Sequence, residues 1–154
     1  MDKKKRLLFL IIFLFVIDFI SKRVAMYFLS EKESIVLIPR FFSFTLAKNT
    51  GGAFSILSGN VPIIIILSLF VIYFLISVIK KNNYDNFELV CYSLLIGGAI
   101  GNLFDRVVYG YVIDFLDFNI LGYDYPVFNF ADTFIVISVI LLFINSFKKE
   151  GDSK

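Results

Sequence analysis

Four stretches of the chain are almost free of charge, and each is long enough to form a helix. Leu7 to Ile17 is an unbroken apolar run of eleven residues. Asp18, Ser21, Lys22 and Arg23 interrupt it, yet the apolar pattern resumes through Leu29, which predicts a first helix over about 7–29. Val61 to Ile79 runs nineteen residues without a charge and predicts a second helix over 61–79. Sixteen uncharged residues, Leu89 to Phe104, and fifteen, Thr133 to Phe147, predict a third over about 87–106 and a fourth over about 130–147. A membrane-spanning helix needs about 20 mostly apolar residues. The pattern therefore predicts an all-α membrane protein with four transmembrane helices, forming a single integral-membrane domain over residues 1–154.

The connections give orientation. Lys and Arg gather before the first helix (Lys3, Lys4, Lys5, Arg6), between the second and third (Lys80, Lys81) and after the fourth (Lys148, Lys149, Lys154). The positive-inside rule then places both termini in the cytoplasm. The loops over about 30–60 and 107–129 face outward, and Asp105, Asp114, Asp117 and Asp124 in and beside the second stand against the single Arg106. In the first, Ser34-Ile35-Val36-Leu37-Ile38-Pro39 and Phe41-Phe42-Ser43-Phe44-Thr45-Leu46 are β-branched and aromatic runs split by Pro39-Arg40, which predicts a small extracytoplasmic β-hairpin or sheet. Gly51, Gly52 and Gly59 follow as candidate hinges. The N-terminal run is similar to a secretory signal sequence, but no small-x-small cleavage site follows it, so the helix is read as retained.

Composition narrows the chemistry. With 58% hydrophobic residues, 20 Phe and 18% charged residues, against roughly a quarter in ordinary globular chains, the solvent of this chain is largely lipid. A net charge of +2 gives no reason to expect nucleic acid. The absence of His removes Ser/His catalysis and zinc sites of the H-E-x-x-H type. The lone Cys91, in Leu89-Val90-Cys91-Tyr92, is read as a small buried hydrophobe, and neither a metal nor a cofactor is called for. Carboxylates, Lys, Arg, Asn, hydroxyls and backbone remain.

Fifteen or sixteen helical residues rise about 22 to 24 Å, short of the roughly 30 Å hydrocarbon layer. Asp105-Arg106 and Asn129-Phe130-Ala131-Asp132 therefore fall at the outer boundary, where ionisable residues are functional suspects. Asp18, Ser21 and Lys22 share a helix face, as an ion pair or as ligand contacts, with Lys22 placed to snorkel outward. Gly97 and Gly101 form a G-x-x-x-G that allows close helix packing. Gly98, Asn102 and Arg106, four apart, share a face aimed at the same polar centre. Asn129 and Asp132 have the spacing of an N-cap with an acid in the first turn. Asp114, in Gly110-Tyr111-Val112-Ile113-Asp114-Phe115, has no adjacent base and needs a partner or a proton; Asp132 is a candidate for both needs. Two carboxylates sharing a site keep one proton between them, as in aspartic proteases. A helix N-terminus favours an anion, which casts Asp132 as base and Asp114 as acid. A small transporter or channel subunit is the main rival, and a non-catalytic membrane partner assembled through G-x-x-x-G is a third reading.

These blocks, in order, resemble the lipoprotein signal peptidase (signal peptidase II) family of bacteria. The resemblance covers Asp18 with Lys22, Lys48-Asn49-Thr50-Gly51-Gly52-Ala53-Phe54, Gly97-Gly98-Ala99-Ile100-Gly101-Asn102-Leu103-Phe104-Asp105-Arg106 leading to Asp114, and Phe128-Asn129-Phe130-Ala131-Asp132. Lys48 stands where the family usually has Arg, and Gly52 where Ala is common. The resemblance implies that Asp114 and Asp132 are the catalytic pair and that Asp18, Lys22, Asn49, Gly98, Asn102, Arg106, Asn129 and Ala131 surround it. It implies a monomeric endopeptidase of the bacterial cytoplasmic membrane with membrane lipid around it. Such an enzyme cuts the signal peptide from diacylglyceryl-modified prolipoproteins, just before the lipidated Cys, near the outer face. Arg106 would then hold a substrate carbonyl or a neighbouring acid, or else neutralise Asp105, while Asn49, Asn102 and Asn129 orient the peptide backbone.

Overall fold

The computed structural model describes residues 2–29, 34–52, 57–81 and 84–151. Ala53 and Phe54 of the motif before the second helix, and Lys154, lie outside them. The order is α1 (Lys3–Phe28), β1 (Ile35–Ile38), β2 (Phe42–Asn49), α2 (Val61–Lys81), α3 (Asn86–Tyr109), β3 (Val112–Ile120), β4 (Tyr123–Asp124) and α4 (Phe130–Gly151). Three helices are long and apolar enough to cross a membrane: Val61–Lys81, Asn86–Tyr109 and Phe130–Lys149 within α4. α1, at 26 residues, is longer than any of these but carries Asp18, Lys22 and Arg23 along its apolar stretch.

α2 illustrates the solvent. Only Ile64, Ile72 and Ile79 are buried, a single stripe, while Ile66, Leu67, Phe70, Tyr73 and Phe74 stay exposed. On a helix long and apolar enough to cross a membrane, an apolar face of this extent suits a lipid surround.

α3 is the central helix and packs against the other three. Its start is a capping box: Asp85 accepts from the Glu88 backbone N–H at 2.8 Å, and Glu88 accepts from the Asp85 backbone N–H at 3.0 Å. It ends at Gly110, whose φ of 76° lets the chain turn out of the helix into β3. Small residues bring its neighbours close. A Cβ at Gly97 would meet Leu14 of α1 at 3.0 Å, one at Gly98 would meet the Ala131 carbonyl of α4 at 2.5 Å, and one at Gly101 would collide with the Asp18 carboxylate. The G-x-x-x-G thus faces α1, and the glycine between its two members faces α4.

The connections from α1 to α2 and from α3 to α4 build one antiparallel sheet in the order β1-β2-β3-β4. The first hairpin is where the sequence pattern puts it. The second connection is more than a loop, since β3 runs nine residues and pairs Ala47 with Asp114 and Asn49 with Val112. Ala25 and Leu29 at the end of α1 pack on Phe115 and Leu116 of β3, with Phe42, Phe44, Leu46, Phe118, Phe128 and Phe130 around them. At the opposite end of the bundle Lys149 pairs with Glu88 at 2.7 Å and Asp85 at 3.4 Å, and Lys3 donates to the Tyr84 carbonyl at 2.8 Å. The cation-rich flanks and the sheet therefore lie at opposite ends.

Gly98→Ala should force α3 and α4 apart at their tightest approach. Unfolding in detergent should show a loss of about 1 to 3 kcal/mol; an unchanged midpoint would mean that the Ala131 carbonyl yields freely.

Candidate active site

The start of α4 organises the site. Asn129 stands just before the helix: its Oδ1 accepts the Asp132 backbone N–H at 2.9 Å, and its own backbone N–H reaches Asp132 Oδ2 at 3.3 Å. This is the reciprocal capping pattern expected of an Asn and an Asp three residues apart. The cap leaves the Asn129 Nδ2 free to point elsewhere. It donates to Asp114 Oδ1 at 2.6 Å, and further contacts reach Asn102 Oδ1 at 3.1 Å and the Ile113 carbonyl at 3.3 Å. A single residue therefore touches both carboxylates. Asn102 closes the circuit from α3, donating through Nδ2 to Asp132 Oδ1 at 2.7 Å.

Asp114 arrives on β3, fully buried, while Asp132 is half-buried. The strand is anchored behind it, where the Ile113 backbone N–H donates to Asp105 Oδ2 at 3.3 Å. Burial, and after it the negative charge of Asp132, push the Asp114 carboxyl up to about 7. Hydrogen bonds from the Asn49 and Asn129 side chains and the positive charge of Lys22 pull the other way without reversing this.

Beneath the carboxylates lies a buried ion cluster. Lys22 is wholly enclosed, 2.8 Å from Asp18 Oδ2, 3.0 Å from Asp105 Oδ2 and 3.0 Å from Asn102 Oδ1. Arg23 adds a second cation to Asp105 at 3.1 Å and donates to the Tyr109 hydroxyl. Asp18 Oδ1 accepts the Ala131 backbone N–H at 2.9 Å, so α1 caps α4. Above the pair, Arg106 donates to the Gly51 carbonyl at 2.6 Å and the Asn102 carbonyl at 3.3 Å. Asn49 accepts the Gly51 backbone N–H at 2.9 Å.

Asp18, Lys22, Asn49, Asn102, Arg106, Asp114, Asn129, Ala131 and Asp132 thus converge at one end of the bundle, with Gly98 below them against the Ala131 carbonyl. Two expectations need correction. Lys22 does not snorkel outward, because two carboxylates and an amide oxygen hold it inside. Arg106 does not neutralise Asp105; Lys22 and Arg23 do, and Arg106 is committed to backbone carbonyls. The sequence reading named Asp105 as a suspect but paired it with Arg106, and it missed Arg23 and Tyr109 as parts of the cluster. The available signal was Asp105 itself, a charge at the end of a span, where a buried carboxylate calls for more than one partner. Cys91 is buried, its carbonyl accepting from Ser138 at 2.6 Å, as a small core residue would be.

Apolar faces suited to lipid and two acidic side chains that both touch Asn129 describe a multi-pass membrane protein with the makings of a hydrolytic site. Residues 10–148 match the family described as signal peptidase (SPase) II, and the chain belongs to that family. It is 38% identical over 144 residues to the lipoprotein signal peptidase of Staphylococcus aureus strain MRSA252, covering 93% of this chain and 88% of that one. The protein of the same name from strain JH9 is 37% identical over the same shares. A bacterial membrane enzyme solved by the in meso method at 2.3 Å superposes with a TM-score of 0.89 at 36% identity, over 97% of this chain and 92% of that chain. Another, at 1.9 Å, gives 0.82 at 37% identity, over 92% of each chain.

The state of Asp114 ties stability to pH. An ordinary aspartate loses its proton near 3.8 and Asp114 near 7, so between these values the folded chain holds a proton that the unfolded chain has released. This contribution is present at low pH, falls as pH rises from about 4 to about 7, and levels above. The unfolding midpoint should drop across that window, and Asp114→Asn should flatten the slope. An unaltered slope in the variant would show that Asp114 is not the group taking up the proton.

Proposed function

We propose that this protein is an aspartyl endopeptidase that removes the signal peptide from diacylglyceryl-modified prolipoproteins, cutting before the lipidated Cys. The observation that carries this reading is the Asn129 contact to both Asp114 and Asp132, in a chain of the signal peptidase II family. All four long helices cross the membrane in this reading. α1 is the fourth span, its charges absorbed by partners inside the bundle rather than by lipid. The cation-rich end is cytoplasmic and holds both termini, and the sheet and site sit at the outer face. The chain works as one monomeric domain with membrane lipid around it.

The chemistry needs no imidazole or thiol. Asp132, at the start of α4 where the helix dipole favours an anion, takes a proton from water as the water attacks the scissile carbonyl. Asp114, protonated below about pH 7, donates to the carbonyl oxygen; on collapse of the tetrahedral intermediate Asp132 passes the proton it took from water to the leaving amine, and Asp114 recovers its proton from the hydroxyl. Arg106 and Asn49 line the approach and position the peptide backbone. The acyl chains of the substrate remain in lipid while its amide reaches the polar end of the bundle.

Purified protein in phospholipid vesicles should release the signal peptide from a diacylated precursor, and Asp114→Asn and Asp132→Asn should each lower the rate at least about a hundredfold while the protein stays folded. Undiminished cleavage by either variant would refute the pair. The rate should fall as pH rises past about 7, where Asp114 loses its proton; a rate still climbing through pH 9 would contradict its role as acid. An unlipidated precursor should be cut far more slowly than the diacylated one, and equal rates would remove the lipid from recognition.

A further inference from the structure

Lys22 makes more contacts than a structural ion pair requires. Asp18, one turn away on α1, would suffice to neutralise it. Its ammonium also reaches Asn102 Oδ1 at 3.0 Å, across 80 positions of sequence, and this third contact leads into the active site. A lysine ammonium only donates, so the atom of Asn102 that faces it must be the oxygen. The Asn129 Nδ2, 3.1 Å from the same oxygen, imposes the same choice. The other end of the Asn102 amide is then necessarily the NH2 group, which donates to Asp132 Oδ1 at 2.7 Å. Rotating the amide by half a turn would set donors against Lys22 and Asn129 and an oxygen against Asp132.

The consequence falls on the carboxylates. Asp132 accepts at both oxygens, from Asn102 at Oδ1 and from the Asn129 backbone N–H at Oδ2. Hydrogen bonds donated to both oxygens of a carboxylate favour its charged form. We propose that Lys22 is a positioning residue for the peptidase reaction: it locks the Asn102 amide so that Asn102 donates to Asp132, which leaves the proton of the pair on Asp114. The inference rests on the carboxylate-pair reading above and adds what decides the roles within the pair. The charged groups around this arrangement are Asp18, Lys22 and Arg23 of α1, Asp105 and Arg106 of α3, Asp114 of β3 and Asp132 of α4. Of the three α1 residues only Lys22 touches the Asn102 amide. Arg23 is directed to Asp105 and Tyr109, and Asp18 to Lys22 and the Ala131 backbone N–H.

Removing Lys22 alone would leave carboxylates buried without their cation, so the test pairs two full-length chains in phospholipid vesicles, Asp18→Asn and Asp18→Asn with Lys22→Met. The double variant removes one positive and one negative charge and keeps an amide oxygen to cap Ala131. Isotope-edited infrared spectroscopy reads the band of the protonated aspartic carboxyl, assigned by adding Asp114→Asn or Asp132→Asn to each chain. In Asp18→Asn the band should vanish with Asp114→Asn. In the double variant it should vanish with Asp132→Asn instead, kcat should fall about a hundredfold with KM for the diacylated precursor nearly unchanged, and the alkaline limb of the pH profile should move. A folded double variant whose band still belongs to Asp114, and whose pH profile matches the Asp18→Asn control, would overturn the proposal and leave Lys22 a purely structural cation. Should the double variant not fold, the unaltered protein decides by NMR of its Asn102 side chain. The Nδ2 proton of Asn102 that bonds Asp132 should lie downfield of an exposed Asn amide proton, whereas an undisplaced signal overturns the proposal. Full cleavage by Asp114→Asn or Asp132→Asn in the natural background is a different failure, that of the pair itself.

Discussion

Asn129 makes two hydrogen bonds that a carboxylate pair needs and that sequence neighbours cannot supply together: its carbonyl oxygen caps the Asp132 amide while its NH2 group reaches Asp114. Because the cap fixes the Asn129 side chain relative to α4, the contact to Asp114 also fixes β3 relative to α4. Two acids brought by unrelated elements, a strand and a helix start, are thereby held by the same residue, Asp114 through the Asn129 side chain and the Asp132 carboxylate through its backbone N–H. Everything else around the site either delivers these elements or keeps their buried charges tolerable.

Delivery depends on close packing. Gly98 lets the Ala131 carbonyl approach α3, and Gly101 leaves room for the Asp18 carboxylate between α1 and α3. That carboxylate then satisfies the Ala131 backbone N–H, an orphan donor of the first turn of α4. Buried charges cost several kcal/mol each unless paired and hydrogen-bonded. Two cations, Lys22 and Arg23, meet two anions, Asp18 and Asp105, so the cluster is balanced without lipid or water. The charges close on one another at one end of the bundle, which suits a site and not an ion path running through it.

The helices were legible because uncharged runs of fifteen to nineteen residues have few other uses, and α1 could be traced past its charges because the apolar pattern resumes. The first hairpin was legible from β-branched and aromatic runs on either side of Pro39-Arg40. β3 was not: Val-Ile-Asp-Phe-Leu-Asp-Phe-Asn-Ile breaks strict alternation, and its strand character comes from pairing with β2, a register irregular between Phe44 and Ala47. The Asn129–Asp132 cap is local and shows in the spacing. The contacts from Lys22 to Asn102 and Asp105 span some eighty positions and have no local signal, so Lys22 read as a side chain free to reach outward. Arg106 and Asp105 are adjacent in sequence but point to different partners, which adjacency alone misreads.

In the proposed function, a pair of acids at the sheet end of the bundle suits a substrate whose acyl chains stay in the membrane. The proposed chemistry asks both carboxyls to act on one tetrahedral carbon, and the most direct measurement is a structure of the protein with a lipidated peptide carrying a hydroxyl-bearing tetrahedral isostere in place of the scissile amide. The account predicts the isostere hydroxyl within hydrogen-bond distance of both Asp114 and Asp132. A hydroxyl bound by one carboxyl, with the other turned away, would contradict it.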